Sequence, residues 1–245
     1  MKRLIASFFA VVFMWCVPAF AGIFSITGGA PPINKTIIPV IPEFKKEAPD
    51  ALVTIVKAGP KKGLEDLLAG RADVLVVIMG KEQLESFAHK EGIKMDSSDL
   101  VFAEIASDKI YLAVHPTNPV KLLTPEQINR IFSGSISNWK EVGGNDQEII
   151  IAWSEFLKGV NDLVKAKYKI KKLTELMVMP TADGVAEAVS SNPEAIGIVG
   201  EASMKKVKVK GLEPPMEVKI YFITKGEPTK EAQSLIGLAK KNQQK

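Results

Sequence analysis

Apolar positions along this chain come in short runs separated by stretches where they recur every three or four residues. That alternation of strands with amphipathic helices marks an α/β protein. Ile23–Thr27 predicts a first strand. Ile33, Ile37, Val40, Ile41 and Phe44 trace a helix face that Pro39 and Pro42 must kink or break, because each lacks a backbone donor. Leu52–Lys57 predicts a strand, and Gly59–Gly63 leads into a helix burying Leu64, Leu67 and Leu68 and ended by Gly70. The almost wholly apolar Ala72–Met79 predicts a strand covered on both faces. A helix over 81–91 turns Leu84, Phe87 and Ala88 inward, and Leu100–Ile105 and Lys109–His115 predict two further strands.

The densest local signal is Lys121–Gly144, KLLTPEQINRIFSGSISNWKEVGG. Thr124 caps a helix, Pro125 takes the first helical position where no N–H is needed, and Gln127 completes a capping box. Leu123 and Ile128 are placed as a hydrophobic staple, and Gly134 supplies the left-handed residue that ends the helix. Ser135, Ser137 and Asn138 form a polar turn covered by Trp139. Beyond it, Glu148–Trp153 predicts a strand, and a longer helix runs over 155–169. Leu176–Met179 predicts a short strand, Asp183 caps a helix stopped by Ser191-Asn192-Pro193, and Ala195–Val199 predicts a buried strand. Lys206–Lys210 alternates Lys and Val as a one-sided edge strand does. Val218–Thr224 predicts the last strand, and Pro228 opens the last helix.

The first 21 residues stand outside this pattern. Lys2 and Arg3, an apolar stretch from Leu4 to Val17, and Ala19-Phe20-Ala21 read as a secretory leader cleaved near Ala21. The stretch is too short for a membrane span, which needs roughly 20 apolar residues. Cys16, the only cysteine, lies inside it, so the exported chain carries no disulfide and relies on an ordinary core. The formal charge of +4 falls to +2 without Lys2 and Arg3, too balanced for nucleic acid, which demands a concentrated basic face. The remaining 224 of 245 residues suffice for one large domain or two lobes.

Catalytic chemistry has little to stand on. His89 lies off the apolar face of its helix, and His115 ends a strand before Pro116, neither with a placed partner. HExxH, CxxC, GxSxG and phosphate-loop signatures are absent. No metal or cofactor is expected, since the two histidines stand apart without an acidic cluster. Binding has more support. In open α/β sheets, ligands sit beyond the carboxyl ends of strands, where helix N-termini present backbone N–H groups. The candidate junction residues are Gly29, Ala30 and Pro31; Lys61, Lys62 and Gly63; Met79 and Gly80; and Trp153 and Ser154. The same glycines and prolines also serve as plain turn residues.

Asn118-Pro119-Val120, LTPEQINRIFSG and SNWKEVGG together resemble the signature segment of the phosphate-type periplasmic binding proteins of ABC transporters. SITGG at Ser25–Gly29, GPKKGLEDLLAGRADV, IASDKIYLAVHPTNP at Ile105–Pro119, NPEAIGIVG at Asn192–Gly200 and IYFITKGEP at Ile220–Pro228 follow the family's order. The resemblance implies a type II two-lobe fold, each lobe a mixed sheet flanked by helices, with a cleft between lobes and a hinge of two crossing segments. The lobes are expected at 22–114 plus 206–245 and at 115–205. The implied role is a non-enzymatic, monomeric periplasmic protein that captures a small solute, such as an oxyanion, for a membrane permease. The alternative is a non-transport module on the same scaffold that binds another envelope protein or acts as a sensor.

The departures from that family are equally specific. Its phosphate site uses a Ser or Thr loop before the first helix, where this chain has Gly29-Ala30-Pro31. It uses an acidic or hydroxyl residue after the third strand, where this chain has Ile78-Met79-Gly80. Its second-lobe Arg and Ser-Gly-Thr triplet are replaced by Trp153-Ser154-Glu155-Phe156-Leu157-Lys158-Gly159. Loss of an Arg fork removes charge-assisted hydrogen bonds worth roughly 1.5–3 kcal/mol each. An oxyanion would then depend on backbone N–H groups with Lys61, Lys62 or Ser154, and a less charged solute could stack on Trp153.

Overall fold

A computed structural model describes residues 22–212 and 214–243; the leader assigned to residues 1–21 lies outside them. The first half runs β1 (Ile23–Gly28), α1 (Ala30–Thr36), α2 (Ile41–Glu47), β2 (Leu52–Val56), α3 (Gly59–Leu68), β3 (Val74–Val77) and α4 (Lys81–Lys90). The long strand β4 (Leu100–Val114) carries the chain into α5 (Pro125–Phe132), β5 (Ile150–Trp153), α6 (Lys158–Lys167), β6 (Met177–Val178), α7 (Ala182–Ser191) and β7 (Ala195–Gly200). Then come α8 (Glu201–Met204), β8 (Lys210–Gly211), β9 (Met216–Lys225) and α9 (Lys230–Asn242).

The strands line up as β2-β1-β3-β9-β4-β7-β5-β6, with β8 paired on β4. β1 is parallel to β2 and β3, and β5 is parallel to β7 and β6, while β4 and β9 are antiparallel to their neighbours. β4 joins the halves: Leu100–Ile110 pairs with β9, and Ile110–Val114 pairs with β7. Its register against β9 shifts between Glu104 and Ala106, an irregularity that bends and twists the strand locally.

Side-chain alternation assigns the cores. Val74 and Val76 of β3 pack with Ile26, Ile33, Phe44, Phe222 and Leu235 on one face. Leu75 and Val77 pack with Leu64, Leu84, Phe87 and Ile223 on the other. In the second half, Leu112, Val114, Phe132, Trp139, Ile151, Trp153 and Ile196 fill one face, while Ala113, Ala152, Val185, Val189 and Val199 fill the other. Ile110 and Val218, which belong to the two connecting strands, join the second-half core.

Local chemistry explains the element ends. Pro39 and Pro42 divide the first helical stretch into α1, a 3-10 turn at Ile38–Val40, and α2. At α5, Thr124 Oγ1 accepts from the Gln127 N–H at 3.2 Å, and the Thr124 N–H donates to Gln127 Oε1 at 2.8 Å. Leu123 and Ile128 are both buried, and Gly134 takes φ +81°. Trp139 is fully buried, with Nε1 donating to the Glu194 carbonyl at 2.8 Å.

Four expectations change. Leu100–Ile105 and Lys109–His115 are one strand, because the polar Ser107-Asp108-Lys109 step stays paired to Lys219, Val218 and Glu217 of β9. The α7 cap is Thr181, whose Oγ1 accepts from the Gly184 N–H at 2.9 Å, and Asp183 sits inside the first turn. Lys206–Lys210 is not an edge strand: only Lys210 pairs, while Val207 and Val209 pack against the core under α7. Thr229 caps α9, so the helix starts at Lys230 rather than at Pro228.

Candidate functional site: the interlobe cleft

The carboxyl ends of β1, β3 and β7 and the N-terminal turns of α1, α6 and α7 surround a cleft of about 750 Å³. Its body is apolar. Val77, Ile78 and Met79 follow β3, Ile110 and Val218 come from the connecting strands, and Leu157, Val160 and Ile198 face them from the second half. Ile78 packs against cores of both halves. A Cβ on Gly159 would sit 3.7 Å from Ile78 Cγ1, so the α6 backbone passes close over that side chain.

The polar groups form two ion-paired ends. Lys35 Nζ lies 2.5 Å from Asp108 Oδ1. Lys206 Nζ donates to Asp183 Oδ2 at 2.7 Å, and Ser203 Oγ donates to Asp183 Oδ1 at 2.7 Å. Lys206 and Ser203 hold the Asp183 carboxyl below the usual carboxylate range against its partial burial. The lining charges are Lys35, Lys205 and Lys206 against Asp108, Asp183 and Glu201. The cleft is therefore formally neutral.

The N-termini of α1, α4 and α7 are poor anion cradles. The first three positions of α1 are Ala30, Pro31 and Pro32, and a proline has no N–H to offer. The Gly29 N–H already donates to the Val76 carbonyl at 3.1 Å. The Gly80 N–H donates to Gln83 Oε1 at 2.8 Å, and the Gly184 N–H is taken by Thr181.

The sequence-predicted site residues divide sharply. Ala30, Pro31 and Met79 line the cleft. Gly29 and Gly80 cap the helices beside it. Lys61 pairs with Glu91 at 3.0 Å, and Lys62 pairs with Asp66 one helical turn away. Gly63 is a packing residue: a Cβ there would lie 2.8 Å from Leu75 Cδ1. Trp153 and Ser154 are each 1% exposed. Trp153 packs edge-on to Phe132 with ring centres 6.0 Å apart, under the Lys165 ammonium at 5.4 Å. The Trp153 Nε1 and Ser154 Oγ atoms are buried without a hydrogen-bond partner among the described residues. Lys35, Asp108, Thr181, Asp183 and Lys206, which sequence reading missed as site residues, carry the polar chemistry. Only the Thr-Ala-Asp-Gly cap at 181–184 had a local signal.

A family model for the PBP superfamily domain matches residues 22–240. The chain belongs to that family. Among curated relatives, the phosphate-binding protein PstS of Bacillus subtilis is 26% identical over 229 residues, covering 86% of this chain and 73% of the relative. The chain spans 58–73% of the length of the curated relatives it matches. A Clostridium perfringens structure described as a phosphate ABC transporter substrate-binding protein with bound phosphate superposes with a TM-score of 0.73 at 24% identity, covering 89% of this chain and 92% of that one. A Vibrio cholerae ABC-type phosphate transport receptor gives 0.71 at 21% identity, covering 89% and 93%. These structures share the fold, a sheet flanked by helices in the type II binding-protein arrangement.

Proposed function

We propose that this family member is an exported solute-binding protein that traps a small solute in the interlobe cleft and hands it to an ABC permease. The carrying observation is the cleft at the carboxyl ends of strands from both halves, next to the two connecting strands. The relatives are named for phosphate binding and ABC transport, which supports binding and delivery rather than catalysis. Cleavage near Ala21 would release the chain to the periplasm. The lobes in this reading meet inside the β4–β9 pair, between Ile105 and Ile110 and between Val218 and Ile220. The sharing of Ile110, Leu112, Val114, Leu212 and Val218 with the second core supports that division over one at 114 and 206.

Calorimetry and thermal shift with phosphate, sulfate, molybdate and small organic solutes test the reading. At least one solute should bind once per chain and raise the melting temperature. No heat and no shift from any of them would refute solute capture.

A further inference from the structure

Taking solute capture as given, we infer that the cleft is built for an uncharged organic molecule with an apolar body and one or two hydrogen-bonding groups, rather than for an inorganic oxyanion. Three independent observations converge. The first is charge. Both Lys35 and Lys206 are held by lining carboxylates, and the ionisable lining groups balance in sign. An oxyanion would have to displace Asp108 or Asp183 from those lysines or rely on Lys205, which is exposed so that solvent screens its charge.

The second is the backbone. Pro31 and Pro32 delete two of the N–H groups that the start of α1 would present, and Gly29 spends its own on β3. The start of α6 turns Gly159 and Val160 toward the cleft in place of hydroxyl side chains. The third is the lining itself. Val77, Ile78, Ile110, Val160, Ile198 and Val218 line the cleft with apolar side chains. Its volume of about 750 Å³ falls in the range of about 300–1,000 Å³ that organic ligands occupy.

The neutral polar groups at the rim fit such a molecule. The Asn34 amide and the Thr181 hydroxyl both line the cleft. Thr181 Oγ1 accepts from Gly184, which leaves its O–H free to donate. Together they can satisfy a carbonyl, amide or hydroxyl on an otherwise apolar solute.

The test uses the leaderless chain, the neutral fluorophore N-phenyl-1-naphthylamine and inorganic phosphate. The fluorophore should brighten several-fold and saturate at one per chain. Phosphate at millimolar concentration should neither displace it nor raise the melting temperature. Val160→Asp puts a carboxylate in the cleft at a helix first turn, where acids are tolerated. It should weaken the fluorophore at least tenfold with unchanged circular dichroism. Saturable phosphate binding that Val160→Asp abolishes would overturn the uncharged class and leave solute capture standing. Fluorophore binding indifferent to Val160→Asp would place the apolar site elsewhere and also overturn the inference. A cleft that takes neither probe would overturn the inference and leave solute capture to the wider calorimetric panel.

Discussion

Gly28 shows how little of a binding-protein junction is free to serve the ligand. It has φ +144°, and a Cβ there would meet the Val76 carbonyl oxygen at 2.1 Å. Gly63 of α3 packs on it from the other side. Gly28→Ala should therefore cost at least about 2 kcal/mol, from strain and overpacking together, read as a lower urea midpoint at unchanged slope. Backbone approaches Gly28 from β3, and Leu75 of β3 approaches Gly63. Trp153, expected at the ligand, is buried. A residue at the end of a strand can face the cleft or the core. Trp153 has taken the core, against Phe132, and no local pattern distinguishes the two outcomes. Asp183 allows a signed prediction. Its folded carboxyl titrates below its ordinary value of 3.8 because of Lys206 and then Ser203. Its stabilisation is thus complete above about pH 4 and lost as pH falls through the folded value. Asp183→Asn should flatten the acid limb of a melting-temperature profile. The cost at neutral pH should stay under about 1 kcal/mol, since the pair is half-exposed and screened. Superimposable acid limbs would contradict this.

At the level of elements, what the sequence made legible is what short-range chemistry determines. The α5 capping box was readable because hydroxyl, proline and glutamine stand within four residues, and each satisfies or removes a specific terminal N–H. Thr124→Ala should cost about 1 kcal/mol, measured by denaturation. Thr124→Ser should recover most of it, because the hydroxyl is what matters. At α7 the same logic pointed to Asp183, and the structure puts Thr181 at the cap instead. Thr181 won because its oxygen reaches the N–H three residues on, while Asp183 was drawn to Lys206 and Ser203, 20 and more residues away. The length of β4 was hidden for a related reason. Ser107-Asp108-Lys109 looks like a turn when read alone, and only pairing with β9 keeps it extended. Asp108 and Lys35 meet across 73 residues, a juxtaposition the strand crossing creates and no motif announces.

For the whole molecule, one ion pair outside the cleft lining joins the two halves. Lys90 of α4 reaches Asp162 of α6 at 3.2 Å, bridging the two halves. Lys61 holds the Glu91 carboxyl below its ordinary range, with Lys158 of α6 and the neighbouring Lys90 adding to the effect. Lys61, expected at the ligand, instead belongs to this cluster. The Lys90–Asp162 pair faces solvent, where a single pair contributes about 0.2–1 kcal/mol, equivalent to at most about a five-fold bias between closed and open lobes. Such a bias is screened by salt, with a Debye length near 10 Å at 0.1 M. Asp162→Ala should therefore widen the ligand-free particle in small-angle scattering at low ionic strength, and the wild type should approach the variant as salt is raised. Because apparent affinity scales with the population of the competent state, the same substitution should weaken solute binding by no more than about five-fold. That loss should itself shrink at high salt, unlike Val160→Asp, whose effect acts inside the cleft and should persist. If Asp162→Ala weakens binding equally at all salt concentrations, the α4–α6 bridge is not what holds the lobes together.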